Sequence, residues 1–326
     1  MLYEEIRIND KFEKIAARIF GSYGLDFDAA ERAGGWTNAV WLHCDCALRL
    51  SKEQGNERIR REAELSKVLP ASVGYPKIID TGVTDGYEWC LSERIPGKVL
   101  SSVWDSFDWV EKAAVVKQIL SIMNAVHSVD VDRVERLSTK AAWYNSFDKG
   151  SSLADIERYV AKNLFTQKQG RVLRDILERF YESNSSASPV LCHGDITMDN
   201  LIWHDGNVAS LLDFEHSAIA PCQLDIHSLV NLALIPYDET TSRDIVLLTD
   251  EKQEIQHYVA KIIPLFTPFL AEQSDKELFM GYCVLFRRRF FEFWLEAPEG
   301  DVKQCDAYQK LLSISDGGYG YLSKLL

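Results

Sequence analysis

The stretch Val190-Leu191-Cys192-His193-Gly194-Asp195-Ile196-Thr197-Met198-Asp199-Asn200-Leu201-Ile202-Trp203, continued by Leu211-Leu212-Asp213-Phe214-Glu215, decides how the rest of the chain is read. An apolar run ends in an abrupt turn bearing an acid, an amide follows at the fifth position, and a second acid comes after a hairpin. Leu201 to His204 and Val208 to Leu212 are β-prone, and Asp205-Gly206 between them is a strong short-range hairpin signal. Closing that hairpin sets Asn200 opposite residue 211 or 212, so Asp213 falls at most a residue or two further along the ladder. Two oxygen donors then share one end of a rigid ribbon, with Asp195 just upstream on the turn.

That grouping suits phosphoryl transfer. Magnesium takes hard oxygen ligands, one or two of them from the protein, with phosphates and waters completing its shell. A hydroxyl attacking a γ-phosphate needs a nearby carboxylate to orient it and accept its proton. An acid, four residues, an amide and then an acid before Phe is the kinase order D-x-x-x-x-N followed by D-F-x. Here His193-Gly194 stands where a protein kinase has His-Arg, and Glu215 follows Asp213-Phe214 in place of Gly. His-Gly-Asp-x-x-x-x-Asn with Asp-Phe-Glu resembles the aminoglycoside phosphotransferase family, small-molecule kinases related in fold to protein kinases. Asp and Asn also cap turns, fill bends and end strands. Such settings do not account for kinase order around a predicted hairpin.

Composition bounds the alternatives. A chain of 326 residues is long for one hydrophobic core, so a split domain or two lobes is expected. Its 46% hydrophobic and 26% charged residues are ordinary for a soluble globular protein. No apolar run is long enough to span a bilayer, and Met1-Leu2-Tyr3-Glu4-Glu5 lacks the basic-then-apolar pattern of an export signal. The seven cysteines are odd in number, and Cys44-Asp45-Cys46 has no partner pair at zinc-finger spacing, so reduced thiols and a cytoplasmic location are expected. His193, His204, His216 and His227 match no compact ligand motif and read as structural. A net charge of −13 argues against a nucleic-acid partner, which calls for a basic face, and gives mild support to a cationic substrate.

Along the chain, Glu4 to Phe20 has helical spacing. Ala33-Gly34-Gly35-Trp36-Thr37-Asn38-Ala39-Val40-Trp41 followed by Ala47-Leu48-Arg49-Leu50 reads as strand, tight turn and strand. Gly34 and Gly35 would let the backbone approach a phosphate closely, and the family has a similar Gly-Gly-x-x-Asn stretch there. By the same resemblance Arg49 takes the place of the strand lysine that holds the α- and β-phosphates, with Lys52 close enough to compete for that role. Asn56 to Val68 reads as a helix whose Arg61-Glu62-Ala63 is similar to the family's Arg-Glu-Ala, which makes Glu62 the acid paired with Arg49, with Glu64 as the fallback. Pro76 to Gly82 and Tyr87 to Ile95 form a hairpin about Asp85-Gly86. Ser92-Glu93-Arg94-Ile95-Pro96-Gly97 resembles the family's hinge, so backbone groups of Glu93 and Ile95 would meet the adenine edge.

Helices are expected over Trp109 to His127, Ser151 to Asn163, Arg171 to Tyr181, Glu251 to Phe269, Ser274 to Leu295 and Val302 to Leu312, with Pro264 and Pro268 breaking the fourth. The resemblance makes Asp225 a brace for the catalytic loop. Phe286-Arg287-Arg288-Arg289-Phe290-Phe291-Glu292-Phe293-Trp294 reads as a half-buried helix with a solvated basic face.

The expectation is therefore an α+β, two-lobed, protein-kinase-like fold. A small antiparallel-sheet lobe would occupy residues 1–95 and a mainly helical lobe residues 96–326, with the nucleotide in the cleft. The resemblance implies transfer of the γ-phosphate of ATP or GTP, with Mg2+, to a hydroxyl of an aminoglycoside-like or other small amino- or hydroxyl-bearing substrate. Asp195 would be the base, and Asn200 and Asp213 the metal ligands. Choline-, fructosamine- and homoserine-type kinases share these motifs, and a non-catalytic nucleotide-binding module is the reading from another class. Asp148, Asp155, Glu157, Glu292 and Glu296, with Trp143 or Trp294 stacking, could serve an amino sugar.

Overall fold

A computed structural model describes residues 2–35, 37–137, 147–234, 249–296 and 302–326. The chain forms two compact units, the first comprising Met1–Leu100, Asp132–Lys140 and Asp199–Glu215, the second Ser101–Val131, Ala141–Met198 and His216–Leu326.

The first unit opens with helix α1 (Leu2–Ser22), then strands β1 (Glu31–Ala33), β2 (Asn38–Leu42) and β3 (Cys46–Gln54), helix α2 (Arg58–Ser66), and strands β4 (Ile78–Thr84), β5 (Tyr87–Glu93) and β6 (Lys98–Val99). Five of these strands make an antiparallel sheet in the order β1-β2-β3-β5-β4. Helix α1 buries Phe12, Ile15, Ala16, Ile19 and Phe20 in one cluster with Trp41, Leu48, Leu50 and Leu91. Burial of each large apolar side chain among them contributes about 2 kcal/mol. Because strand side chains alternate, seating Leu48 and Leu50 in that cluster turns Arg49 to the opposite face of the sheet.

After β6, helix α3 (Trp109–His127) begins at a capping box in which Asp108 accepts from the Glu111 amide and Glu111 from the Asp108 amide. Then come α4 (Val131–Glu135), α5 (Lys149–Ala161), α6 (Gln167–Asn184) and β7 (Val190–Cys192). The predicted hairpin follows as β8 (Leu201–His204) and β9 (Asn207–Leu211), with Asp205 and Gly206 in the left-handed region at φ 47° and 80°. Leu201 pairs with Leu211, and the Leu212 amide donates to the Asn200 carbonyl at 2.7 Å, so Asn200 stands opposite the residue before Asp213. Strand β6 completes a three-stranded sheet in the order β6-β8-β9.

The second unit continues with β10 (Ala218–Ala220), which pairs antiparallel with β7. Helices α7 (Gln223–Ala233), α8 (Thr249–Phe266), α9 (Gln273–Glu296) and α10 (Asp306–Ser315) follow. Pro264 does not break α8, since it lies in the last turn and the helix ends at Phe266, with Pro268 entering the 3-10 turn Thr267–Phe269. The helix expected from Val302 is divided, a 3-10 turn (Val302–Gln304) giving way to α10 where Cys305 caps it.

The basic face expected on α9 is absent. Arg287 and Arg288 are buried, whereas Phe290, Phe293 and Trp294 are exposed. The arginines turn inward because polar partners wait there: the His227–Asn231 pair of α7 for Arg287, and Asp155 of α5 for Arg288.

Candidate active site

In the first unit, Arg49 is the cation that the sheet and α2 hold. Its Nη1 and Nη2 donate to Glu62 Oε1 and Oε2 at 2.8 and 2.7 Å, a bidentate pair, and Nη2 also reaches Asp213 Oδ1 at 3.2 Å. Lys52 turns elsewhere, donating from Nζ to the Gly35 carbonyl at 2.6 Å. Glu64 pairs with Lys67 on the exposed side of α2. The inward-facing pair is thus Arg49 with Glu62, while Lys52 and Glu64 bond elsewhere.

Glu62 is 2% exposed and fully occupied. Besides Arg49, its Oε1 accepts from the Tyr75 hydroxyl at 2.7 Å and from the Phe214 amide at 3.1 Å. Burial opposes ionisation of this carboxyl. The Arg49 charge and the bonds from Arg49, Tyr75 and Phe214 outweigh it, holding Glu62 below the usual carboxylate range. Tyr75 also packs edge-on against the Phe214 ring, centroids 5.7 Å apart. Asp213 itself has left-handed backbone, φ 64°, which aims its carboxylate back toward Arg49 while Phe214 turns into the core.

The Gly34-Gly35 segment joins β1 to β2, and a Cβ at Gly35 would collide with the Asn38 carbonyl, so only glycine closes that turn. The Asn38 amide reaches Glu215 at 3.5 Å, which ties β2 to the segment after Asp213. At the end of β5, the Glu93 amide donates to the Lys77 carbonyl at 2.9 Å, and Ile95, half-buried, makes no hydrogen bond among the described residues.

In the second unit, β7 delivers His193-Gly194-Asp195. Asp225, at the start of α7 and fully buried, accepts from the amides of His193 and Gly194 at 2.9 and 2.7 Å, and its Oδ2 lies 2.9 Å from His127 Nε2. Gly194 has φ 85°, a conformation that favours glycine at the turn. The Asp195 amide donates to His193 Nδ1 at 3.1 Å. The loop carrying Asp195 is therefore pinned from both sides before the acid is reached.

His127, Cys192 and Asp225 bring potential ligand atoms within 4.8 Å of one another. Their bonding argues against a metal site: Asp225 is occupied by two amides and an imidazole, and burial, then the Asp225 charge, holds the Cys192 thiol well above its usual range.

The acids considered for substrate are committed elsewhere. Asp155 pairs with Arg158 and Arg288, Glu292 with Arg158 and Tyr159, and Glu157 with Arg174, while Asp148 caps α5 by accepting from the Ser151 amide. Glu296 is exposed, Trp294 is exposed, and Trp143 lies outside the described residues. Tyr75 and the Arg287–His227 contact went unseen in the sequence, because no spacing rule links residues so far apart in the chain.

A model of the phosphotransferase enzyme family matches residues 28–266. The chain belongs to that family. This phosphotransferase is a kinase with an alcohol acceptor, of the aminoglycoside phosphotransferase type. It is 23% identical over 190 residues to an aminoglycoside 3'-phosphotransferase of Escherichia coli, a match covering 57% of this chain and 68% of the relative. The ADP-bound aminoglycoside phosphotransferase APH(2'')-Ib shares the fold with a TM-score of 0.59 at 15% identity, over 94% of this chain and 98% of its own. A choline/ethanolamine kinase family protein from Mesorhizobium loti does so with a TM-score of 0.58 at 13% identity, over 98% and 99%. The phosphotransferase has the α+β, protein-kinase-like architecture of these neighbours. No helix among the described residues is long and apolar enough to cross a membrane.

Proposed function

We propose that this phosphotransferase transfers the γ-phosphate of ATP or GTP to a hydroxyl of a small amino- or hydroxyl-bearing molecule. The observation that carries the nucleotide half of the reading is Arg49 clamped by buried Glu62 and touching Asp213. A guanidinium so fixed presents positive charge with no ordering cost at the moment of reaction. The ADP in a structural neighbour supports a nucleotide co-substrate. In the proposed roles, Arg49 and the Gly34-Gly35 turn meet the phosphates, and the Glu93 carbonyl and Ile95 amide meet the base.

The donor set at the mouth of the β8–β9 hairpin fits magnesium, since an Asn amide and a carboxylate one ladder step apart are hard oxygen donors. Asn200 and Asp213 would hold the ion, which when bound neutralises charge on the phosphates. Asp195 takes the acceptor hydroxyl proton as the acceptor oxygen bonds to the γ-phosphorus, and the bond from that phosphorus to ADP breaks with the electron pair leaving on ADP.

ADP release by purified protein, measured against amino sugars, amino alcohols, hydroxy acids and macrolides with and without magnesium, tests the reading. We expect at least one acceptor to raise ADP release above the rate without acceptor. Asp195→Ala should fold and lose about a thousandfold in turnover, the scale of a general base. A folded, fully active Asp195→Ala protein would remove Asp195 from the chemistry.

A further inference from the structure

Helices α7 and α9 of the second unit enclose a polar network that the proposed chemistry does not use. Arg287 is 6% exposed and His227 4% exposed. Arg287 Nη1 donates to the Cys283 carbonyl at 3.0 Å and to His227 Nε2 at 3.2 Å, and its Nη2 donates to Asn231 Oδ1 at 2.9 Å. The Asn231 amide nitrogen lies 2.8 Å from the same His227 Nε2. The imidazole stacks on Phe286, centroids 4.8 Å apart and 21° from parallel.

A ring nitrogen that accepts from two N–H donors carries no proton, so the proton of His227 sits on Nδ1. Burial, then the charges of Arg287 and Lys310, keeps this imidazole neutral. Two buried donors are thereby left over, His227 Nδ1 and Arg287 Nε, neither with an acceptor. No carboxylate among the described residues pairs with Arg287. A guanidinium cannot shed its charge, and a buried charge without a counter-charge is strongly unfavourable. The network is a buried cation with spare donors, which is what an oxyanion requires.

Its position relates it to the acceptor. Asp225 grips the amides immediately before Asp195, and Asn231 lies six residues further along the same helix, a rise of about 9 Å. One helix therefore carries both the grip on the Asp195 loop and two members of the Arg287 network. Asp155, Glu157 and Glu292, acids that could greet a polycation in this unit, are meanwhile paired with arginines.

We infer that Arg287, with His227 and Asn231, anchors the acceptor of this phosphotransferase, and that the acceptor carries an oxyanion, a carboxylate or a phosphate ester, beyond the hydroxyl that is phosphorylated. The inference rests on the kinase reading above and narrows its acceptor class. Arginine suits the site because its planar fork grips either oxyanion by two bonds.

The test uses the full chain and matched acceptors: γ-hydroxybutyrate, glycerol phosphate, butanediol, aminobutanol and kanamycin. ADP release should favour γ-hydroxybutyrate or glycerol phosphate, and the better of the two identifies the oxyanion. By calorimetry, Arg287→Met should weaken binding of that acid by about thirtyfold or more. Asn231→Asp should place a carboxylate against Arg287, raising the melting temperature while abolishing binding of the acid, and this keeps the test open if Arg287→Met fails to fold. Preference for butanediol, aminobutanol or kanamycin, or acid binding unchanged in Asn231→Asp, overturns the inference. ADP release with no acceptor of any class overturns the kinase reading instead, and calorimetry with the two acids then decides the oxyanion site by itself.

Discussion

At Glu62, four hydrogen bonds converge on a carboxylate that is 2% exposed, two from Arg49, one from Tyr75 and one from the Phe214 amide. Each partner has a different origin: a sheet residue, a loop residue and the backbone beside the metal-binding candidate Asp213. Glu62 therefore couples Arg49 to the Asp213 turn through one group. Tyr75 is a positioning residue in that set, holding Glu62 by its hydroxyl and Phe214 by its ring. Tyr75→Phe should keep the ring contact, lose the bond to a charged acceptor, and cost about 2 kcal/mol of stability. Because Glu62 orients Arg49, the same variant should raise the nucleotide KM more than it lowers kcat. Denaturant midpoints and nucleotide titrations check this, and an unaltered nucleotide KM would show that Arg49 needs no help from Tyr75.

Helices α7 and α9 share a buried polar contact, Arg287 with His227 and Asn231, beside the aromatic packing of His227 on Phe286. His227 of α7 is held neutral, first by burial and then by the charges of Arg287 and Lys310, well below the ordinary value of 6.5. The unfolded chain takes up a proton on this residue as pH falls through about 6.5, and the folded chain does not. The unfolded state then binds more protons, so this interface loses stability as pH drops below that value, down to the lowered folded value. We expect the melting temperature to fall between about pH 7.5 and 5.5, and His227→Gln to flatten that slope while remaining folded at the upper end. Melts in a series of buffers measure it, and equal slopes for the two proteins would mean that His227 protonates freely in the folded state. The same interface accounts for the missing basic face of α9. Phe286 to Trp294 looks basic on paper, yet Arg287 and Arg288 point into the protein and three aromatic side chains point out, because the buried acceptors lie on α7 and α5.

On the scale of the molecule, Asn200 and Asp213 belong to the first unit and Asp195 to the second, although all three come from one continuous stretch. A ligand that binds only the folded chain stabilises it by mass action, about 2.7 kcal/mol at a hundredfold excess over Kd. ATP with magnesium should therefore raise the melting temperature more than ATP alone, and Asn200→Ala or Asp213→Ala should remove the magnesium-dependent part. Equal shifts with and without the ion would take these residues out of metal binding. Much of this arrangement was legible beforehand. The hairpin at Asp205-Gly206 and the helix from Trp109 to His127 follow from local turn chemistry, periodicity and capping, which act between near neighbours in sequence. The adjacency of Asn200 and Asp213 is likewise readable, since a two-stranded ladder sets the start of one strand beside the end of the other. The amino-acid sequence alone thus determined the central hairpin, the long helix from Trp109 and the family. Only the tertiary structure decided that Arg49 and not Lys52 faces Glu62, that Tyr75 closes that carboxylate, and that Arg287 is buried against His227. Those choices depend on which face of a strand or helix is covered by segments distant in the chain, and no local pattern encodes them.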